Sequence, residues 1–171
     1  MPTVTARGDA DISVATFTRP ADTTAYAAGD VVSTLAGAIM TFANTVKDGV
    51  GAIQGATLFT SANVSTKMDA ELWLFHTAPA AVADNAAFAP TDAELLTVVG
   101  VIQFPTGEWR VGLSGAGAAG NACNPQTGLG IPLNTHKVAV PVNDIYGVLV
   151  TRNAYVPVSA EVFTINLGLL F

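Results

Sequence analysis

Any chemistry in this chain would have to start from the glycine-rich stretch Gly112-Leu113-Ser114-Gly115-Ala116-Gly117-Ala118-Ala119-Gly120. Gly115 to Gly120 has the G-x-G-x-x-G spacing with which a backbone cradles a dinucleotide pyrophosphate. That chemistry needs the last glycine to open a helix whose first amides face the phosphate. Pro125 ends any helix within a turn and no long helical pattern follows, so the stretch reads as a loop. Gly112 to Ala116 departs by one residue from the G-x-S-x-G nucleophile elbow and lacks the same helix. Ser114, His136 and Asp144 make a triad on paper, but nothing in their spacing brings them together.

Metal chemistry has no better footing. His76 and His136 lie far apart with no carboxylate at ligand spacing on a shared helix. Asp9, Asp11, Asp69, Glu71, Asp84 and Asp92 offer oxygen ligands without the twelve-residue loop of a calcium site. Cys123 is the sole cysteine, which excludes an intrachain disulfide and a cysteine-based metal centre. It has no cation or histidine beside it in sequence to activate it. Arg7-Gly8-Asp9 spells an adhesion tripeptide, too short to carry meaning alone. Trp73, Trp109, Phe59, Phe75, Phe104 and Phe163 sit at alternating strand positions, where core is a stronger reading than sugar-stacking platform. The expectation is a non-enzymatic protein without a cofactor.

The elements that would hold these residues are strands. Apolar side chains recur at period two in short runs broken by Gly, Pro, Asn and Asp. Phe163, Ile165, Leu167, Leu169 and Phe171 share one face of the last run, with Thr164, Asn166 and Gly168 on the other. Further strands are expected at 12–18, 30–34, 38–42, 56–65, 70–76, 97–104, 109–113, 137–142 and 145–152. In the run 70–76 both faces are apolar, which predicts a central strand or one covered on its outer side by a neighbouring chain. Thr91-Asp92-Ala93-Glu94 has capping-box spacing and predicts one or two helical turns over 92–96. Long loops are expected at 19–29, 78–90 and 114–130. The fold class expected is all-β, an antiparallel two-sheet sandwich arranged as a jelly roll. Residues 1–16 would form an N-terminal arm and first strand, and 17–171 a single sandwich domain.

Charge is scarce. Half of the residues are hydrophobic and only 12% are Asp, Glu, Lys or Arg, about half the roughly 25% of an ordinary soluble domain. A surface so poor in charge implies burial against other subunits. The net charge of −6, with seven Lys and Arg in all and no basic cluster, argues against nucleic acid as a partner. No signal peptide and no membrane span is expected, so synthesis in the cytoplasm follows.

Residues 17–32, Phe17-Thr18-Arg19-Pro20-Ala21-Asp22-Thr23-Thr24-Ala25-Tyr26-Ala27-Ala28-Gly29-Asp30-Val31-Val32, resemble a segment recurrent near the start of small structural proteins of tailed-bacteriophage virions. Glu71-Leu72-Trp73-Leu74-Phe75, Pro90 to Leu95, Asn143 to Arg152 and Glu161 to Ile165 continue the likeness in order. It implies a capsid decoration, or cement, protein: a homo-oligomer, three copies in similar systems, on the outer surface of the major capsid protein shell. Self-association would use the apolar faces around Leu72, Trp73, Leu74, Tyr146 and Val148. Shell contact would use Arg7 in the arm and Arg19, Asp22, Tyr26 and Asp30 in the following loop, with Arg19 and Asp22 pairing across the interface. The host's bacterial cytoplasm would be the site of synthesis and the virion exterior the destination. The competing readings are a tail, baseplate or fibre-associated component touching the host, a carbohydrate-binding module and a small hydrolase.

Overall fold

The computed structural model describes residues 10–43, 45, 50–111, 122–134 and 144–171. Its strands are β1 (Ala10–Thr18), β2 (Val31–Val32), β3 (Met40–Phe42), β4 (Val50–Thr60), β5 (Ala70–Phe75), β6 (Val98–Phe104), β7 (Arg110–Val111), β8 (Ala122–Asn134), β9 (Ile145–Thr151) and β10 (Val162–Leu170). A four-residue helix, α1 (Asp92–Leu95), precedes β6, with the Thr91 hydroxyl accepting from the Glu94 amide and the Glu94 carboxylate accepting from the Thr91 amide. The capping box therefore forms as its spacing requires.

Two antiparallel sheets pack face to face, as an all-β sandwich. The first has the order β1-β10-β4-β8-β7 and the second β2-β9-β5-β6, with β3 also paired to β9. The chain passes repeatedly between them, so that sequence neighbours such as β4 and β5 lie in opposite sheets. Alternation in β10 sends Phe163, Ile165, Leu167 and Leu169 inward, where they meet Phe17, Leu58, Leu72, Phe104 and Leu149. Phe17 stacks on Phe163 with ring centroids 5.6 Å apart. Gly147 of β9 lets the layers close: a Cβ there would lie 2.8 Å from the Phe42 ring and 3.0 Å from Leu72 Cδ1.

β5 is central, between β9 and β6, and its apolar second face is covered by the chain itself. Val31, Phe75, Val148 and Val150 form a second buried cluster, sealed by Trp73, Tyr146, Val82 and Phe88. Val82 and Phe88 belong to the long segment 78–90, which backbone hydrogen bonds tie down: Val31 N donates to Ala86 O, Asn85 N to Val31 O and Phe88 N to Gly29 O, each at 2.9 Å. No neighbouring chain is needed over this face, which corrects that alternative for β5.

The expected loop 114–130 is corrected over its second half, because residues 122–130 belong to β8. Pro125, Gly128 and Gly130 hide the strand, and both glycines have positive φ. Pro125 lies beyond the two-residue strand β7, where β8 is bordered in its sheet by β4 alone, a position that tolerates a missing amide. β4 also starts earlier than expected, at Val50, and ends at Thr60. β1 runs through the boundary placed between residues 16 and 17 and pairs with β10 along its whole length. The expected strand 137–142, the arm 1–7 and the glycine-rich stretch 112–120 lie outside the described residues.

Candidate functional site

The densest constellation of polar side chains is built around Arg19, at the exit of β1. Its side chain is fully buried. Nε donates to the Tyr26 hydroxyl at 2.9 Å, and Nη2 donates to Asp22 Oδ1 at 3.0 Å and Asp84 Oδ2 at 3.2 Å. Tyr26 in turn donates to Asp84 Oδ1 at 2.6 Å, and the Ser33 amide donates to the same oxygen at 2.9 Å. The guanidinium also lies over the Tyr26 ring, 5.3 Å from its centroid. Burial works against the Arg19 charge, but the hydrogen bonds to Tyr26 and Asp22 outweigh it and hold the guanidinium above its ordinary range. The Thr24 amide, then Arg19, hold the Asp22 carboxyl below the usual range.

The cluster continues through stacked rings. Tyr26 stacks on Tyr155 with centroids 6.2 Å apart, and the two residues form a backbone bridge. The Tyr155 hydroxyl reaches both Glu161 oxygens, at 2.7 and 2.8 Å, while the Thr60 hydroxyl and the Val158 amide donate to the same buried carboxylate. Desolvation, with Asp84 beside one ring and Glu161 beside the other, pushes both tyrosines well above the usual phenol range. Each charged group is spent on partners inside the chain. The arrangement can fix the segments 19–30, 78–90 and 153–161 in place, and it leaves no free base or nucleophile at its centre.

This geometry redistributes the residues expected at interfaces. Leu72 and Leu74 are fully buried in the core between the sheets, and Val148 is buried in the second cluster, so none of the three faces a second copy. Trp73 and Tyr146 are half-buried at the margin of that cluster, with Trp73 Nε1 donating to Glu71 at 3.0 Å. Arg19 and Tyr26 are buried as well, so Arg19 pairs with Asp22 within its own loop and not across an interface. Asp22 is exposed on its other side, and Asp30 is half-buried, accepting from the Ala27 amide at 2.6 Å. Arg7 lies outside the described residues.

The candidates for chemistry are scattered. His76 shares a 2.9 Å hydrogen bond with the Thr77 hydroxyl. Trp109 is buried and donates to Met68 O at 2.7 Å. Ser114 and His136 lie outside the described residues, as does Asp9. Among the described residues, no three His, Cys, Asp or Glu side chains gather as a metal site, and no helix is long and apolar enough to cross a membrane.

What sequence reasoning missed is the outer face of the first sheet. Register sets its cross-strand rows: Thr16, Thr164, Phe59, Cys123; then Val14, Asn166, Thr57, Pro125; then Ile12, Gly168, Gly55, Thr127. None of these twelve positions carries a charge, where a surface of ordinary composition would place about three or four; beyond Cys123 the first row ends at the rim on exposed Arg110 of β7, which pairs with Glu108. Ile12 is 64% exposed and Val14 52%. Two shallow hollows mark the face, one beside Phe59 and Val162 and the other beside Ile12 and Asn166. Asn166 Oδ1 is the one buried side-chain oxygen or nitrogen among the described residues without a hydrogen-bond partner. The signal was legible only as threonine and glycine alternating with core residues, a pattern that also suits a hydrated strand.

No family model matches the chain, and neither does any curated protein. Among solved structures, the infectious bursal disease virus VP2 subviral particle aligns with 94% of this chain and 32% of its own, at 15% identity and a TM-score of 0.34. The structure of the Gx strain of that virus aligns with 95% and 41%, at 12% identity and a TM-score of 0.19. The chain thus spans about a third of the first of these. Likeness at this level is too slight to carry fold or function.

Proposed function

We propose that this chain is a non-enzymatic structural protein of a tailed-phage virion, a decoration protein that binds the outer surface of the major capsid protein shell as a homo-oligomer. The observation that carries the reading is the uncharged, partly apolar outer face of the first sheet, which suits cover by protein better than by water. The resemblance of residues 17–32 and 143–152 to phage virion proteins supplies the kind of assembly. The order β1-β10-β4-β8 against β2-β9-β5-β6 supports a jelly roll, an arrangement used by capsid proteins among others.

On this reading the loop 19–30 is the shell-facing element. Arg19 and Tyr26 act from beneath, holding the exposed residues 21–25 in one conformation before contact. Preorganisation of this kind lowers the entropic cost of docking. Each bound copy adds contacts across capsomer boundaries, so that rupture of the shell must break several interfaces together. The experiment is to add purified chain to phage heads assembled without it. Saturable co-sedimentation and a higher rupture temperature are expected; heads that neither bind the chain nor gain stability overturn the proposal.

A further inference from the structure

We propose that the outer face of the first sheet is covered by a second copy of this chain. The proposal rests on the contact reading above and names the occupant of the face.

The argument begins with charge. The chain carries a net charge of −6, so two copies repel wherever their acidic surfaces approach. The rows Thr16-Thr164-Phe59, Val14-Asn166-Thr57 and Ile12-Gly168-Gly55 are where that repulsion is absent, since they hold no carboxylate. A strongly charged partner would find charge only at the β7 rim, where Arg110 is already paired with Glu108. A copy of the same neutral face meets its own threonine hydroxyls and apolar side chains, which suits a self-complementary contact.

Area supports the same occupant. Four strands spaced about 4.8 Å apart and about nine residues long, at 3.3 Å per residue, span roughly 500 Å². Two such faces bury about 1,000 Å² together, which reaches the lower end of a specific contact. The polar atoms fit as well. Asn166, at the centre of the face, has a buried amide oxygen without a partner in the single chain. The Thr16 and Thr164 hydroxyls, 2.9 Å apart, have donor and acceptor capacity left beyond their mutual bond.

The test is the mass of the purified chain in solution, by light scattering and sedimentation at low and high concentration. Wild type is expected to associate above the single-chain 17.4 kDa. Val14→Glu and Thr57→Lys, each placing one charge on the face, should return it to the single-chain mass with an unchanged circular dichroism spectrum. Mixed together, the acidic and basic variants should associate again. Leu96→Glu, on a residue 85% exposed beyond α1 and off this face, should leave association intact. Thr16→Glu, at an exposed position of the edge strand, replaces either variant that fails to fold. Wild type that stays a single chain, or association that survives both face variants, overturns the proposal. Head binding retained by a single-chain protein would sink this proposal and leave the decoration reading standing.

Discussion

Trp73 and Phe88 meet with ring centroids 5.3 Å apart and planes tilted by 59°. One residue lies on β5 and the other in the segment 78–90, so this contact closes the outer face of the second sheet within a single chain. Burial of an aromatic pair contributes beyond its area when the rings are tilted. Phe88→Ala should cost about 2 kcal/mol in denaturant unfolding, below the fully buried case because Phe88 is half-buried. Trp73 fluorescence should shift to the red in the folded variant.

Arg19 is the keystone of the loops at one end of the sandwich. Removing it leaves the buried Asp84 and the Tyr26 hydroxyl short of their partner, the situation in which a broken buried pair costs most. Arg19→Ala should lose about 3 kcal/mol or more by urea denaturation. Arg19→Lys should recover only part of this, since an ammonium cannot reach Tyr26, Asp22 and Asp84 together with the fork of a guanidinium. A stability equal to wild type in Arg19→Ala would show that the cluster does not hold the loops.

These two sites show what was legible in the residues and what was not. The alternation of Phe163 to Leu169 fixed β10 and its inner face, and Thr91 with Glu94 fixed the helix start, because both signals are local. The two-faced character of β5 was legible from Trp73 and Leu74, but its cover was not: Val82 and Phe88 sit in an Ala- and Pro-rich run without period. Arg19 reads as a surface residue because arginine is rarely buried. Its burial depends on Asp84, sixty-five residues away. β8 was hidden by Pro125 and two glycines whose cost is absorbed at the rim of the sheet. The uncharged face needed the register of β1, β10, β4 and β8 together, which no single strand contains.

Stability should form a plateau bounded by two kinds of group. Burial raises the Glu71 carboxyl, but Arg152 and the Trp73 indole outweigh it and hold it below the usual range; Asp22 and Glu94 are also lowered, mainly by backbone amides. A lowered carboxyl stabilises the fold above its unfolded value, about pH 4, and this is lost as pH falls through the folded value. Tyr26 and Tyr155 are raised, so their contribution is complete below the unfolded value of about 10 and is lost as pH rises through the folded one. Melting temperature followed against pH should be flat from about 5 to 9 and fall at both ends. Tyr155→Phe should flatten the alkaline fall.

Gly147 and Gly107 make a matched pair. A Cβ at Gly147 presses on the Phe42 ring and Leu72 inside the core, while at Gly107 it meets open space. Gly147→Ala should cost about 1–3 kcal/mol, as overpacking does. Gly107→Ala should change stability by less than about 0.5 kcal/mol, in the range of surface substitutions. Parallel thermal melts of the two variants check both.

On the proposed reading, this chain is covered by a second copy and itself covers the outside of a phage head. Cryo-electron microscopy of heads assembled with and without it tests that most directly. Density for the two-sheet sandwich is predicted on the outer surface of the shell, with the face of Val14, Asn166 and Thr57 turned towards another copy. Heads identical in the two preparations, or the chain found only in the tail, would contradict it.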